Sequence, residues 1–339
     1  MRTISPIRTI LLIIGTALLF VMATALLPLN SYQRYNQFTG TIYGNLGWMY
    51  ERMHFDPTPI DVAVIGSSRT MLAISGPRLQ ADLAARGVQA NVVNFSIVGN
   101  GRNIEAMIVN ELLATKKPKL IIVEAMERRY KYGHPAFAYA APTHEILTQP
   151  LGLQNQPMNL LYLPYRNARL FMASLLPSNF DMPTQFDPAK YRGSNPETTH
   201  SFMLIPGRWI EMEQRLSPGT LLSGARDNEA RTTRPSRLPA PIANHLHGDE
   251  IAYTQRIVDA ARAHGTKVAF VYIPYYSGPP AIGERDFYAA RGTLHEAGFF
   301  ADQDAMYQGW AHLNRKGAEV MTDWLSARIA PLLGEAPKP

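Results

Sequence analysis

Three short segments carry side chains suited to acyl transfer. Gly66-Ser67-Ser68-Arg69-Thr70 follows one short apolar run, and Ser96-Ile97-Val98-Gly99-Asn100-Gly101 follows a second. Trp310-Ala311-His312-Leu313-Asn314 stands just before a late amphipathic stretch. A serine hydroxyl is a weak nucleophile until a base takes its proton. A tight, glycine-bearing loop offers backbone N–H groups to a tetrahedral oxyanion. Each feature also has a plainer explanation. Ser68 could cap a helix, Gly99 could be a turn glycine at positive φ, and His312 could be a hydrogen-bonded structural histidine. Their joint occurrence favours chemistry.

Such segments act together only if strand ends present them. Residues 61–66, DVAVIG, form a β-branched run bounded by Pro59 and Gly66, the pattern of a buried strand. Ser75-Gly76-Pro77 starts a helix through RLQADLAAR that closes at Gly87. ANVVNF (90–95) predicts a second strand and KLIIVE (119–124) a third. Between them, 103–116 places Ile104, Met107, Ile108 and Leu112 on one helical face. The rhythm returns with a helix over 249–265, a strand at 267–273 and a closing helix over 314–333. This alternation predicts an α/β fold, a three-layer doubly wound parallel sheet. Ligands of such sheets bind beyond the carboxyl ends of the strands. The stretch 135–245 lacks the rhythm and is rich in proline, which predicts a large insertion within one domain spanning 61–333.

With the elements in place, the segments resemble the SGNH/GDSL hydrolase superfamily over roughly 61–128 and 249–333. VAVIGSSRT is similar to its first block, with Ser68 at the nucleophile position and Ser67 in place of the usual Asp. VVNFSIVGNG is similar to the second, and HLNRKGAEVMTDWLSARI to the last. The resemblance implies His312 as the base and an oxyanion hole from the N–H groups of Ser68 and Gly99. Arg69 and Asn100 beside them become candidates for substrate binding, although Arg69 and Arg128 also fit surface or ion-paired roles. Two departures matter. Gly309 stands where the family has Asp three residues before the histidine, and Met126-Glu127-Arg128-Arg129 replaces the Gly-x-Asn-Asp block. Asp302 and Asp304 are the nearby carboxylates that could orient His312, and Arg128 is the candidate substitute oxyanion donor. The Gly-Ser-Ser-Arg form behind an N-terminal anchor is most similar to membrane-bound relatives of alginate O-acetylation and teichoic acid D-alanylation, which often work with a membrane-bound O-acyltransferase.

Arg2 and Arg8 precede the uncharged run Thr9–Leu29, long enough to cross a bilayer. Basic residues ahead of the run place the N-terminus in the cytoplasm and the bulk outside, an asymmetry weakened by Arg34 and Arg52. Ala23-Thr24-Ala25 also fits a cleaved export signal, but the apolar stretch is longer than a usual signal core, favouring an uncleaved anchor over 1–30. In the juxtamembrane segment 31–60, Tyr32, Tyr35, Phe38, Tyr43, Trp48 and Tyr50 fit either a membrane interface or a helix packed on the domain. The chain has no cysteine, which excludes disulfides, thiolate metal sites and a cysteine nucleophile. The net charge of +6 is dispersed, arguing against nucleic acid. No phosphate loop or dinucleotide fingerprint is present, since Gly99-Asn100-Gly101 lacks the third glycine, so no cofactor is implied. His245-Leu246-His247-Gly248-Asp249 has metal-like spacing, but Asp249 sits where the next helix wants an N-cap, so a loop and cap are expected and no metal. The expected function is a membrane-anchored, extracytoplasmic esterase or O-acyltransferase acting on acyl groups, acetyl foremost, of an envelope or exported polysaccharide. The alternative is a non-catalytic subunit that binds a glycan, acyltransferase or synthase.

Overall fold

The computed structural model describes residues 6–126, 133–149, 155–205, 207–213, 216–232 and 240–334. The N-terminal apolar run is one helix, α1 (Pro6–Ala25), and its large side chains point away from the rest of the chain. Among the described residues it is the one helix long and apolar enough to cross a membrane, with a mean hydropathy of 2.2 over its most apolar window. Two helices follow, α2 (Ser31–Asn36) and α3 (Asn45–His54). Tyr32, Tyr35, Phe38, Trp48 and Tyr50 are all buried there, and Tyr43 packs partly against the same cluster. The aromatic run is therefore core, not an interfacial belt. Arg52 is buried as well and ties α3 to its surroundings by donating to the carbonyls of Thr58, Pro59 and Ser194.

From β1 (Val62–Ile65) the chain alternates as its sequence pattern predicts. A short α4 (Ser68–Ala73) and α5 (Gly76–Ala85) precede β2 (Val92–Asn94), and α6 (Arg102–Thr115) leads to β3 (Leu120–Glu124). Ser75 caps α5 by accepting the N–H of Arg78 at 3.2 Å, and Gly87 closes the turn at φ +81°. The intervening segment then holds α7 (Phe137–Ala140), α8 (Thr143–Leu147) and α9 (Gln156–Leu175). A hairpin of β4 (Ser201–Ile205) and β5 (Arg208–Glu211) follows, then α10 (Pro218–Thr232). Among the described residues, none of these elements joins the main sheet.

α11 (Ala240–Ala263) and β6 (Lys267–Tyr272) resume the alternation. α11 starts well before the predicted position, so Asp249 lies inside a helix and does not cap one. The side chains of His245, His247 and Asp249 lie outside the described residues. After α12 (Arg285–Ala289) comes a strand that the periodicity does not reveal, β7 (Thr293–Glu296). A small hairpin of β8 (Tyr307–Gly309) and β9 (His312–Leu313) leads into the closing α13 (Arg315–Leu333).

The main sheet is parallel throughout, in the order β2-β1-β3-β6-β7. Alternation along the strands sends Ala63, Ile65, Ile121 and Val123 to the face covered by α3, α6 and α11, and Val62, Val64, Leu120 and Ile122 to the face covered by α5 and α13. Both faces are thus buried, which is why these strands are apolar at nearly every position. Each buried Val, Leu or Ile among them contributes roughly 1.5–3 kcal/mol. Strand order reverses between β1 and β3, and at such a switch point the carboxyl ends splay into a crevice.

Candidate active site

The turn leaving β1 is built around a carboxylate from the next strand. Glu124, the last residue of β3, is wholly inaccessible; its Oε2 accepts the N–H of Ser67 at 2.7 Å and the hydroxyl of Thr70. Arg69 brings its Nε to 3.7 Å of the other carboxylate oxygen and donates from Nη1 to the carbonyl of Ile273 at 2.9 Å. Gly66 is required here, because a Cβ would lie 2.5 Å from the Thr70 hydroxyl and 2.7 Å from the Glu124 carboxylate. Ser67 caps α4, accepting the N–H of Arg69 at 3.1 Å. Capping therefore falls to Ser67, and the Ser68 hydroxyl is free for another partner.

That partner is His312. Ser68 Oγ and His312 Nε2 stand 3.0 Å apart across 244 positions of sequence. The histidine occupies β9, and Asn314 begins α13 two residues later by accepting the N–H of Gly317 at 2.9 Å. A ring of the β4–β5 hairpin, Phe202, lies 5.8 Å from the imidazole. Burial, and then the nearby Arg69 guanidinium, push the His312 imidazole down to about 4. At neutral pH it is uncharged and able to accept a proton.

Among the described residues, no acid bonds to the far side of its ring. Asp302 and Asp304 are exposed, and among the described residues neither bonds or pairs with His312. Asp302 lies in a turn and Asp304 begins the 3₁₀ turn ahead of β8, while the antiparallel β8–β9 pairing sets Gly309 directly across from His312. The expectation that one of these aspartates folds back is corrected: the hairpin register gives the neighbouring position to a residue with no side chain.

The second loop lies beside the first because Ile97 donates to the carbonyl of Gly66 at 2.9 Å, extending the ladder past the strand ends. Gly99 and Gly101 take φ of +98° and +155°. Both pack on His134, which no sequence signal marked. A Cβ on Gly101 would lie 2.3 Å from the His134 N, and one on Gly99 2.8 Å from its Nε2. His134 is fully buried; its Nε2–H donates to the Val98 carbonyl at 2.7 Å, and its Nδ1 accepts the N–H of Ala136 at 3.1 Å. The two bonds fix one neutral tautomer, and burial holds this imidazole down to about 4. No protein acceptor takes the N–H of Ser68 or Gly99 among the described residues, so both donors are available to an oxyanion. Asn100 is half-buried beside them. Arg128 and Glu127 lie outside the described residues, and Met126 is buried against the Tyr288 hydroxyl.

An open cleft of about 1020 Å³ adjoins the site. One wall comes from α2 and α3 and the other from residues 177–209; Met71, Val98 and Phe202 line it next to the dyad, although Ser68 and His312 themselves do not. No grouping of three or more potential metal ligands occurs among the described residues. No family model matches the chain, and no curated protein matches it.

Replacing Glu124 by Ala removes the acceptor of the Ser67 N–H and the Thr70 hydroxyl, and the carboxylate facing Arg69, at a solvent-inaccessible position, so we expect a loss of about 3 kcal/mol in urea unfolding, the scale of a broken buried pair. Acid should also destabilise the fold. His134 and His312 have folded values near 4 against an ordinary 6.5, so the unfolded chain takes up their protons first. Stability present above about pH 6.5 is then lost progressively as pH falls towards 4. Denaturation midpoints across that range, with His134→Phe showing a shallower fall than wild type, check the assignment.

Proposed function

We propose that the chain is an SGNH-type serine esterase or O-acyltransferase, anchored in the cytoplasmic membrane by α1 with its domain on the extracytoplasmic, periplasmic side. Its substrate on this reading is an acyl group, acetyl foremost, on an envelope or exported polysaccharide. The observation that carries the proposal is the 3.0 Å contact between Ser68 Oγ and His312 Nε2 at the carboxyl edge of the sheet. Parallel order with the switch point between β1 and β3 supports it, as do two unclaimed N–H donors. Arg34 and Arg52 are buried in the domain, so they do not offset the charge bias of Arg2 and Arg8.

The chemistry follows from those groups. His312 removes the Ser68 proton as Oγ attacks the ester carbonyl, and the N–H groups of Ser68 and Gly99 receive the oxyanion. The protonated imidazole returns its proton to the departing alcohol, leaving an acyl-serine. Water or a sugar hydroxyl then attacks, and the adjoining cleft is wide enough to admit a glycan acceptor.

The bare imidazole favours one alternative, a non-catalytic SGNH-like subunit that holds a glycan or a membrane-bound acyltransferase or synthase. Hydrolysis of an activated acetyl ester by the full-length protein separates the two. We expect Ser68→Ala and His312→Ala to reduce the rate at least about 10³-fold, as when triad members are removed. Equal rates for wild type and Ser68→Ala would leave the binding-subunit reading. The wild-type rate should be flat near neutrality and fall with a midpoint near pH 4, where the base becomes protonated.

A gain-of-function variant is a sharper test. A Cβ at Gly309 meets nothing within 4 Å, and this residue pairs across the hairpin with His312. Directly opposed side chains start about 5 Å apart. Gly309→Asp should therefore place an anion within reach of the imidazole, raise its pKa and stabilise the imidazolium. We expect the ester hydrolysis rate to rise about tenfold or more and its acid midpoint to move upward; an unchanged midpoint and rate count against His312 as the base.

A further inference from the structure

α9 inverts the usual pattern of a surface helix. Asn159, Leu163, Arg166, Asn167, Leu170 and Ala173 form its buried side. The opposite side, where polar residues are expected, exposes Met158 at 65%, Leu161 at 73%, Tyr165 at 59%, Met172 at 41% and Leu175 at 59%. Their spacing keeps them in one stripe along the helix. Of the charged residues of α9, Arg166 is buried, and Arg169 is half-buried at the edge of the stripe, where Nη1 donates to Gln37 Oε1 at 3.4 Å. Tyr165 sits 5.3 Å from Tyr162, which lies 4.8 Å from the partly exposed Tyr139. Tyrosines cluster in this way where protein meets headgroups.

The position of α9 sets the stripe beside the end of α1. Asn167 Nδ2 donates to the Thr24 carbonyl, in the last turn of α1, at 3.0 Å. Gln33 Nε2 donates to the Ala173 carbonyl at 3.0 Å, and Leu29 packs against the cluster formed by Leu170, Ala173 and Met182. α9 is thus fastened where the chain leaves α1, by three contacts within ten residues of that helix's end. We propose that the exposed stripe of α9 rests on the lipid surface of the membrane that α1 crosses, giving the domain a second, interfacial attachment. This rests on the membrane reading of α1. Apolar side chains buried at the boundary of headgroup and acyl chain supply the attraction. A single helical anchor leaves a domain free to swing; two attachments fix its tilt. Residues just beyond α9, among them Pro177, Asp181 and Met182, line the cleft, so the same contact sets the height of the cleft above the bilayer.

Because the chain has no cysteine, single nitroxide labels can be placed without background. Leu161→Cys, Tyr165→Cys and Leu175→Cys probe the stripe, Ile13→Cys probes α1, and Lys316→Cys probes an exposed position on α13. Each is labelled in the full-length protein in vesicles of phosphatidylcholine with a minor fraction of phosphatidylglycerol. Circular dichroism verifies that each variant remains folded. We expect the stripe labels to collide severalfold more often with oxygen than with a water-soluble nickel complex, as at position 13, and the label at 316 to show the reverse. Nickel access at the stripe equal to that at 316, with position 13 still in lipid, overturns the proposal and leaves the anchor standing. Exclusion of both reagents from the stripe also overturns it, showing a protein neighbour or second copy there instead. Nickel access at position 13 removes the anchor and this proposal with it.

Discussion

A carboxylate without access to water dictates what surrounds it, and Glu124 is that constraint. Removing an ion from water costs several kcal/mol unless donors and an opposite charge replace the hydration shell. Ser67, Thr70 and Arg69 supply them from the turn after the neighbouring strand. Their approach leaves no space for a side chain on Gly66. Once Ser67 N–H and Thr70 Oγ are committed to the carboxylate and Ser67 Oγ to the helix cap, Ser68 is the hydroxyl that faces the crevice. The composition of residues 66–70 is therefore settled largely by one buried charge on the adjacent strand.

The segments legible in the sequence were those governed by local rules. The strands β1, β2, β3 and β6 are apolar because both faces are covered, and α5 carries its own start and stop residues. Ser68 and His312 could be paired from opposite ends of the chain because each follows or precedes such an element, and 3.0 Å separates them. What stayed hidden depends on tertiary neighbours. His134 acts through the backbone of Val98 and Ala136, a role with no local pattern. Glu124 reads as the polar end of a strand. β7 has the half-buried, mixed composition of an edge, so its four residues give no apolar run. Phe202 reaches His312 only through a hairpin whose placement the sequence does not state.

Among the described residues no acid stands behind His312, and under the proposed acyl transfer this changes which groups carry the load. An orienting carboxylate normally fixes the tautomer and offsets the imidazolium charge, worth several orders of magnitude. Here Arg69, needed to neutralise Glu124, adds a repulsive charge on the other side. His312 is neutral across the physiological range, and as the proposed base it gains little on protonation. Fixed dipoles then count for more, since preorganised N–H groups act strongly where water is excluded. The glycines of the second loop and the buried His134 beneath them are the parts of this site built with the least slack.

The cleft and the N-terminal helices share material. α2 and α3 form one wall, and the chain leaving α9 forms the other, while α9 itself is bonded to the end of α1. With α1 in a bilayer, both walls are referenced to the membrane plane through a handful of buried hydrogen bonds, and not through a flexible tether. Such construction suits an acceptor or acyl donor that is itself presented at the membrane, because holding reacting groups in register removes orientational entropy from the reaction. A freely diffusing small ester would gain nothing from it. The burial of the 31–54 aromatics in the core makes that linkage between cleft and α1 rigid, which is what the proposed transfer to a membrane-presented acceptor requires.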